Sequence, residues 1–410
     1  MQALYQAAGE PVPLGKPFLE PVQMVKEGST DHTIQRAPSV IFVLPDLAKN
    51  GAIKQTLVIA EGVAKASDIR SAVYVLNMPN EDRPNLSVPL FGVTTDFYIL
   101  PFLGRFRIVT KINHKMRRIM EFVFLLWAMR KFDVVFAAFE AGSGLTQPAW
   151  AARILRKRFC IIVHNNILIS LPGYFPDWPV ETTKRHFRRA NRLILVSPGL
   201  EVALTEFLGE DEAVPPFVAI QNGIDVETHL KQLQAPPLCE STIAPDSLGR
   251  FFLAIGRLDY QKGVDWLIHA HALALETGEK HVLVLAGNGP DAYKEQLQAQ
   301  ARDLGVADSV HFVGYCSNPA GLLQHAYGYC MTSRFEGFSL ALSEAAAAGA
   351  PCIAMHCISG PNEILSDGKY GDLVANGDVA AMANAMVAHL RNPVPLRQKA
   401  AASRADASRL

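Results

Sequence analysis

Short, almost wholly apolar runs recur along this chain, and longer segments with apolar residues at helical spacing fill most of the gaps. In the first half the runs are Ser39–Leu44, Val73–Leu76, Val134–Ala137, Phe159–Val163, Leu193–Val196 and Phe217–Ile220. In the second half they are Phe251–Ile255, Val282–Ala286, Ser309–Val313, Tyr329–Thr332, Cys352–Met355 and Asp372–Val374. Runs of this length suit strands buried on both faces, as in a parallel sheet. The segment from Ala52 to Ala66 shows the intervening helical pattern well, whereas 77–104 shows no clear pattern. Strands alternating with helices predict an α/β fold: two tandem Rossmann-like, doubly wound domains facing a central cleft.

The expected boundaries follow. Residues 1–38, rich in Pro, Gly, Glu and Gln, read as a mobile leader. The first domain takes 39–222, an interdomain linker region 223–249, the second domain 250–392 and a tail 393–410. A length of 410 residues agrees with two domains. A hydrophobic content of 49% against 19% charged residues excludes a disordered chain.

The formal net charge is zero, but the charge is uneven. Phe97–Pro198 holds 17 Lys/Arg against 5 Asp/Glu, leaving 22 against 34 elsewhere. The six cysteines, Cys160, Cys239, Cys316, Cys330, Cys352 and Cys357, show no CxxC spacing and read as free thiols in a reducing compartment. No stretch is long and apolar enough to span a bilayer. A cytoplasmic protein is expected, with peripheral attachment to the inner face of the plasma membrane as an option.

The chemistry concentrates between Ser333 and Ala354, SRFEGFSLALSEAAAAGAPCIA. Phe338–Ala348 reads as a helix, since Ala and Leu favour it and Gly349 and Pro351 end it. Glu336 then stands at the helix mouth and Glu344 about two turns along. Between them lie free amides at the positive end of a helix, a seat for phosphate. A sugar, a diphosphate and a ribose in series would fit two carboxylates around an anion seat.

Gly256-Arg257-Leu258-Asp259-Tyr260-Gln261-Lys262-Gly263 leaves the carboxyl end of a predicted strand, where ligands bind in such folds. Arg257 and Lys262 can both reach the cleft from there, with a fork and a compact charge for phosphate oxygens. Ala286-Gly287-Asn288-Gly289-Pro290 is either a plain turn or a ligand loop.

These segments, with FVGY and SGPNEIL, resemble in order and composition family 4 of the GT-B glycosyltransferases, retaining enzymes with nucleotide-sugar donors. The resemblance covers roughly 40–390 and is strongest over 251–376. It implies an acceptor-binding first domain and a nucleotide-sugar-binding second domain. It implies that Glu336 meets the transferred sugar, Glu344 the ribose, and Arg257 and Lys262 the diphosphate. Gly337, Phe338, Ser339, Leu340, Gly256 and Gly287 would line the donor seat. Gly51 stands where the family has a Gly-rich loop, and His164 matches a histidine near the donor sugar. Asn222-Gly223 matches the interdomain crossover, and Glu363 reads as structural.

The expected activity is retaining transfer of a hexose or N-acetylhexosamine, with UDP the expected nucleotide. The acceptor would be a glycan or lipid-linked molecule in cell-surface polysaccharide synthesis. No Asp-x-Asp pair occurs, so neither a metal nor a cofactor beyond the substrate is expected. The alternative on the same fold is a nucleotide-sugar 2-epimerase. The basic segments 105–118 and 184–192 fit an anionic membrane surface or a solvated face; nucleic acid is not expected, for want of stacking aromatics.

Overall fold

The computed structural model describes residues 37–410 except 49, 67, 80–83, 95–106, 210–213 and 242–244; for 94 and 107–115 it describes the backbone alone. The expected leader therefore lies, but for its last two residues, outside the described residues.

Seven parallel strands form the first sheet: β1 (Ser39–Leu44), β2 (Arg70–Met78), β3 (Leu90–Thr94), β4 (Val134–Ala137), β5 (Arg158–Val163), β6 (Arg192–Leu195) and β7 (Phe217–Ala219). A short β8 (Leu238–Cys239) follows. The second half contributes β9 (Phe251–Ile255), β10 (Val282–Ala286), β11 (Val310–Gly314), β12 (Cys316–Asn318), β13 (Gly328–Met331), β14 (Cys352–His356) and β15 (Asp372–Ala375). The sheet orders are β3-β2-β1-β4-β5-β6-β7 and β11-β10-β9-β13-β14-β15. Each order reverses direction once, between β1 and β4 and between β9 and β13. A crevice opens at such a switch point, outside the carboxyl ends of the strands.

The continuous apolar runs are explained by two-sided burial. Phe251 and Leu253 of β9 face one core while Phe252 faces the other, as the two-residue period requires. Helices Val264–Glu276 and Val379–Arg391 cover that second face. Edge strand β3 lies within the segment that showed no pattern. It spans five residues, LFGVT, with a glycine in the middle, too little for a periodic signal.

The expected linker is more structured than its composition suggests. It contains helix Val226–Leu233, capped by Asp225, whose carboxylate accepts Thr228 N–H at 3.0 Å. It also contains β8, which pairs antiparallel with β12. That pairing sets Cys239 opposite Cys316, Cα atoms 3.9 Å apart, and the two form a disulfide. The expectation of six free thiols is corrected here; partners 77 residues apart leave no mark in local spacing. The other four cysteines are free and buried, and burial raises every one of these thiols, Cys352 and Cys357 to about 12.

The last stretch is helical over Val394–Ala405. Leu410 carbonyl then accepts Ile224 N–H at 2.9 Å, tying the end of the chain to the crossover after Asn222-Gly223.

Candidate active site

Loops from the carboxyl ends of both sheets line a cleft of about 1280 Å³. From the second sheet come the loops after β9, β10 and β13. From the first come those after β1, β4 and β5.

Glu336 is only 5% exposed and firmly anchored in the cleft. Its Oε1 accepts Lys262 Nζ at 2.5 Å and Ser333 Oγ at 2.6 Å. Its carbonyl accepts Ser359 Oγ at 2.6 Å. A buried carboxylate tolerates such a place only with a cation and a hydroxyl on it. Lys262 reaches it because Asp259 caps the turn after β9, accepting Lys262 N–H at 3.2 Å.

Arg257 is held apart from this pair. Its guanidinium lies 3.0 Å from Asp259 and donates to Tyr174 Oη and Gln261 Oε1, both at 3.1 Å. Tyr174 comes from the first half, on helix Ile167–Tyr174, and also donates to Gln261.

The expected helix mouth is displaced by two residues. The helix runs Leu340–Ala348, with Ser339 as its N-cap, because the Ser339 hydroxyl accepts Leu342 N–H. Glu344 is therefore one turn along, not two. Leu342 and Ser343 amides are both taken by Ser339. Those of Leu340 and Ala341 have no helical partner by geometry and border the cleft. Phe338 is 9% exposed, with its ring in the core, so only its backbone is offered to a ligand. The Glu344 carboxylate pairs with Lys54 Nζ at 2.6 Å, and Glu344 carbonyl meets His229 Nε2 at 2.8 Å. Lys54 is 63% exposed, so this pair is weak and easily exchanged.

Two glycines are demanded by close approach. A Cβ on Gly287 would sit 1.8 Å from Gly256 carbonyl oxygen, so the loop after β10 interlocks with the one after β9. Packing thus requires glycine in that turn, which also borders the cleft. A Cβ on Gly337 would sit 1.8 Å from His164 carbonyl oxygen, where the two halves of the chain pinch together. Gly51, the first residue of helix Gly51–Ala66, meets only Leu340 Cδ1 at 3.6 Å. No protein contact forbids a side chain there.

His164 lines the cleft floor after β5. Burial lowers its imidazole to about pKa 4, so the ring is neutral at pH 7. Its Nε2 is buried without a hydrogen-bond partner among the described residues. Glu363 is a strut: its carboxylate accepts Ser197 Oγ at 2.5 Å, Gly199 N–H at 3.2 Å and Gln221 Nε2 at 3.0 Å, all from the first half.

Glu140, absent from the sequence reading, stands beside His164. Its Oε1 accepts the backbone N–H groups of His164 at 2.5 Å and Asn165 at 3.1 Å. Desolvation outweighs those bonds and raises the carboxyl to about 7. Its position after β4 is the signal that was available, since strand ends on this side carry the site. Folded Glu140 keeps its proton up to about pH 7, whereas an unfolded glutamate loses it near ~4.3. The penalty on the folded state therefore grows between those values and is full above the higher one. Glu140→Gln is expected to raise stability at pH 8 by on the order of 3 kcal/mol and to change it little at pH 4. Denaturant titration at both pH values checks this, and an equal gap at the two would refute it.

Comparison with known proteins bears on the family and the fold. Residues 249–392 match the family described as glycosyl transferases group 1. The chain is similar to a phosphatidyl-myo-inositol mannosyltransferase of Mycobacterium leprae, 35% identical over 340 residues, 80% of this chain and 81% of that protein. It is 37% identical over 134 residues to a lipopolysaccharide 1,6-galactosyltransferase of Salmonella typhimurium, 31% of this chain and 36% of that one. Among solved structures, Anabaena HepE in complex with UDP and glucose superposes with TM-score 0.69 and 18% identity, over 90% of this chain and 94% of that one. Sucrose-phosphate synthase of Thermosynechococcus elongatus gives 0.68 and 18%, over 91% and 94%. Likeness at that identity speaks for the fold: two Rossmann-like domains in the GT-B arrangement.

Proposed function

The chain belongs to the group 1 glycosyltransferases, and from that premise we propose that it moves a hexose or N-acetylhexosamine from a UDP-sugar to a glycan or lipid-linked acceptor with retention of configuration. The observation that carries this reading is the Glu336–Lys262–Ser333 constellation beside two open helix amides, in a cleft walled by both sheets. The UDP and glucose of the HepE complex support the donor class. The lipid named for the mycobacterial relative supports a lipid-linked acceptor.

Cleavage of the anomeric bond builds negative charge on the diphosphate and positive charge on the sugar ring. Lys262, Arg257 and the amides of Leu340 and Ala341 would meet the first charge electrostatically. Glu336, held at Oε1 by both Lys262 and Ser333, would hold sugar hydroxyls with its other oxygen. Glu344 would exchange Lys54 for ribose hydroxyls. No side chain is assigned as base; the leaving phosphate would take the acceptor proton on the front face. Two cations and a helix end already answer the diphosphate, so turnover is expected to survive EDTA. Full loss on chelation with recovery in Mg²⁺ or Mn²⁺ would overturn metal independence.

The two glutamates separate under test. Glu336→Gln is expected mainly to lower turnover, because contacts beside the anomeric carbon orient the reacting bond. Glu344→Gln is expected mainly to weaken binding of free UDP, by roughly 1 to 3 kcal/mol. Calorimetric titration with UDP alone reads the second effect; loss of UDP affinity in Glu336→Gln but not in Glu344→Gln reverses the roles. Incubation with donor alone separates the 2-epimerase, which would convert the sugar, from a transferase, which gives slow hydrolysis at most.

A further inference from the structure

Arg257 is fixed through one nitrogen. Its Nη2 donates to Tyr174 Oη and to Gln261 Oε1, both at 3.1 Å, and lies 3.0 Å from Asp259 Oδ2. A guanidinium carries five N–H donors in a rigid plane, two of them on Nη2. The donors on Nε and Nη1 have no hydrogen-bond partner among the described residues. The side chain is 46% exposed and borders the cleft. The cation is therefore anchored at one corner and left open to a ligand at the other two.

Gln261, 4% exposed, settles the direction of these bonds. Its Nε2 donates to Phe335 carbonyl at 3.0 Å, which turns Oε1 toward Arg257 and Tyr174. That oxygen only accepts, so Tyr174 must donate to it, at 2.5 Å, and the phenol's lone pairs are left to receive Arg257. Burial, with the charge of Asp259, raises the phenol above its ordinary pKa, so it stays a donor at neutral pH. The ring adds a second contact. Its centroid lies 5.5 Å from the Arg257 guanidinium carbon, and it meets the Phe335 ring edge-on at 6.4 Å.

Tyr174 alone of these residues comes from the first half of the chain. It ends helix Ile167–Tyr174, whose Ile167 and Leu171 are buried in the first core. Tyr174 itself is 40% exposed. Its hydroxyl adds nothing to that core, yet it reaches a cation of the second half.

We propose that Tyr174 is a positioning residue of the donor site: its hydroxyl, reaching across the cleft, sets Arg257 against the outer phosphate of the nucleoside diphosphate. The inference rests on the reading of Arg257 as a diphosphate ligand. Lys262, in the same loop, lies on Glu336 at the sugar end of that seat, and Glu344 stands at the ribose end. Arg257 therefore belongs with the phosphate next to the sugar. The donor grip of the second half is thus set in part by a residue of the first.

Calorimetric titration of the full chain with UDP and with UMP tests this on wild type, Tyr174→Phe, Arg257→Ala and the double variant. Tyr174→Phe is expected to weaken UDP binding about tenfold, the scale of a lost hydrogen bond to a charged group, and to leave UMP, which lacks the outer phosphate, within about twofold. Arg257→Ala is expected to show the same selectivity with a larger loss, and Tyr174→Phe to add nothing once Arg257 is gone. Phe keeps the ring against Phe335, so the melting temperature is expected to hold. Unchanged or tighter UDP binding in Tyr174→Phe, with Arg257→Ala weakened, overturns the positioning role alone. So does an equal loss for UDP and UMP, or losses that add in the double variant. UDP binding unchanged in Arg257→Ala overturns the diphosphate reading and this inference with it.

Discussion

Lys262→Ala is expected to lower turnover by about two to three powers of ten, the usual cost of removing one donor aimed at developing negative charge. The structure adds a second consequence. Lys262 is the cation on Glu336, which is 5% exposed and, among the described residues, keeps only Ser333 as a side-chain partner once the ammonium is gone. A buried carboxylate stripped of its cation is destabilising by roughly 3 to 5 kcal/mol. Arg257→Ala is expected to lower turnover by about the same factor at much smaller cost in stability, because its guanidinium is 46% exposed. Steady-state rates and denaturant titrations of the two variants together decide the matter. Turnover within threefold of wild type in either variant removes that residue from the diphosphate site.

Gly337→Ala is expected to cost about a hundredfold in turnover, the scale of a 1 Å misplacement in a preorganised site. The added Cβ would lie 1.8 Å from His164 carbonyl oxygen, so the backbone of one half must move away from the other. That backbone also presents the two N–H groups that hold Glu140, and it carries the His164 ring on the cleft floor. The strain should also lower stability by about 1 to 3 kcal/mol. Gly62→Ala is the control: nothing lies within 4 Å of its Cβ, and it sits in helix Gly51–Ala66. There alanine should stabilise by about 0.5 to 1 kcal/mol and leave activity alone. Equal behaviour of the two variants would mean that the pinch at Gly337 does not matter.

The alternation of buried strands and helices was readable along the chain because a parallel strand covered on both faces must be apolar throughout. The twelve apolar runs all became strands, with ends shifted by at most a few residues. The loops that follow them carry the site for a reason that also belongs to topology: crevices open at strand carboxyl ends. Hence Glu336, Lys262 and Arg257 could be picked out from the pattern, His164 and Gly51 only through the family resemblance, and all five border the cleft.

What local pattern could not carry is which strand-end residues meet one another. The partnership of Lys262 with Glu336 spans 74 residues, that of Lys54 with Glu344 290, and that of Ser197 with Glu363 166. The disulfide of Cys239 and Cys316 and the pinch of Gly337 on His164 are of the same kind. Nor could spacing show that Glu140 would be desolvated enough to hold its proton near pH 7, because burial is set by the walls around a group and not by its neighbours in sequence. The stripe of Met116, Ile119, Val123 and Trp127 makes the point in reverse: it is apolar, yet it stands in solvent because helix Arg107–Met129 packs by its other face, through Leu125, Ala128 and Met129. Periodicity and strand-end chemistry are properties of the chain, whereas charge pairing, close approach and desolvation arise where segments far apart in sequence are brought together.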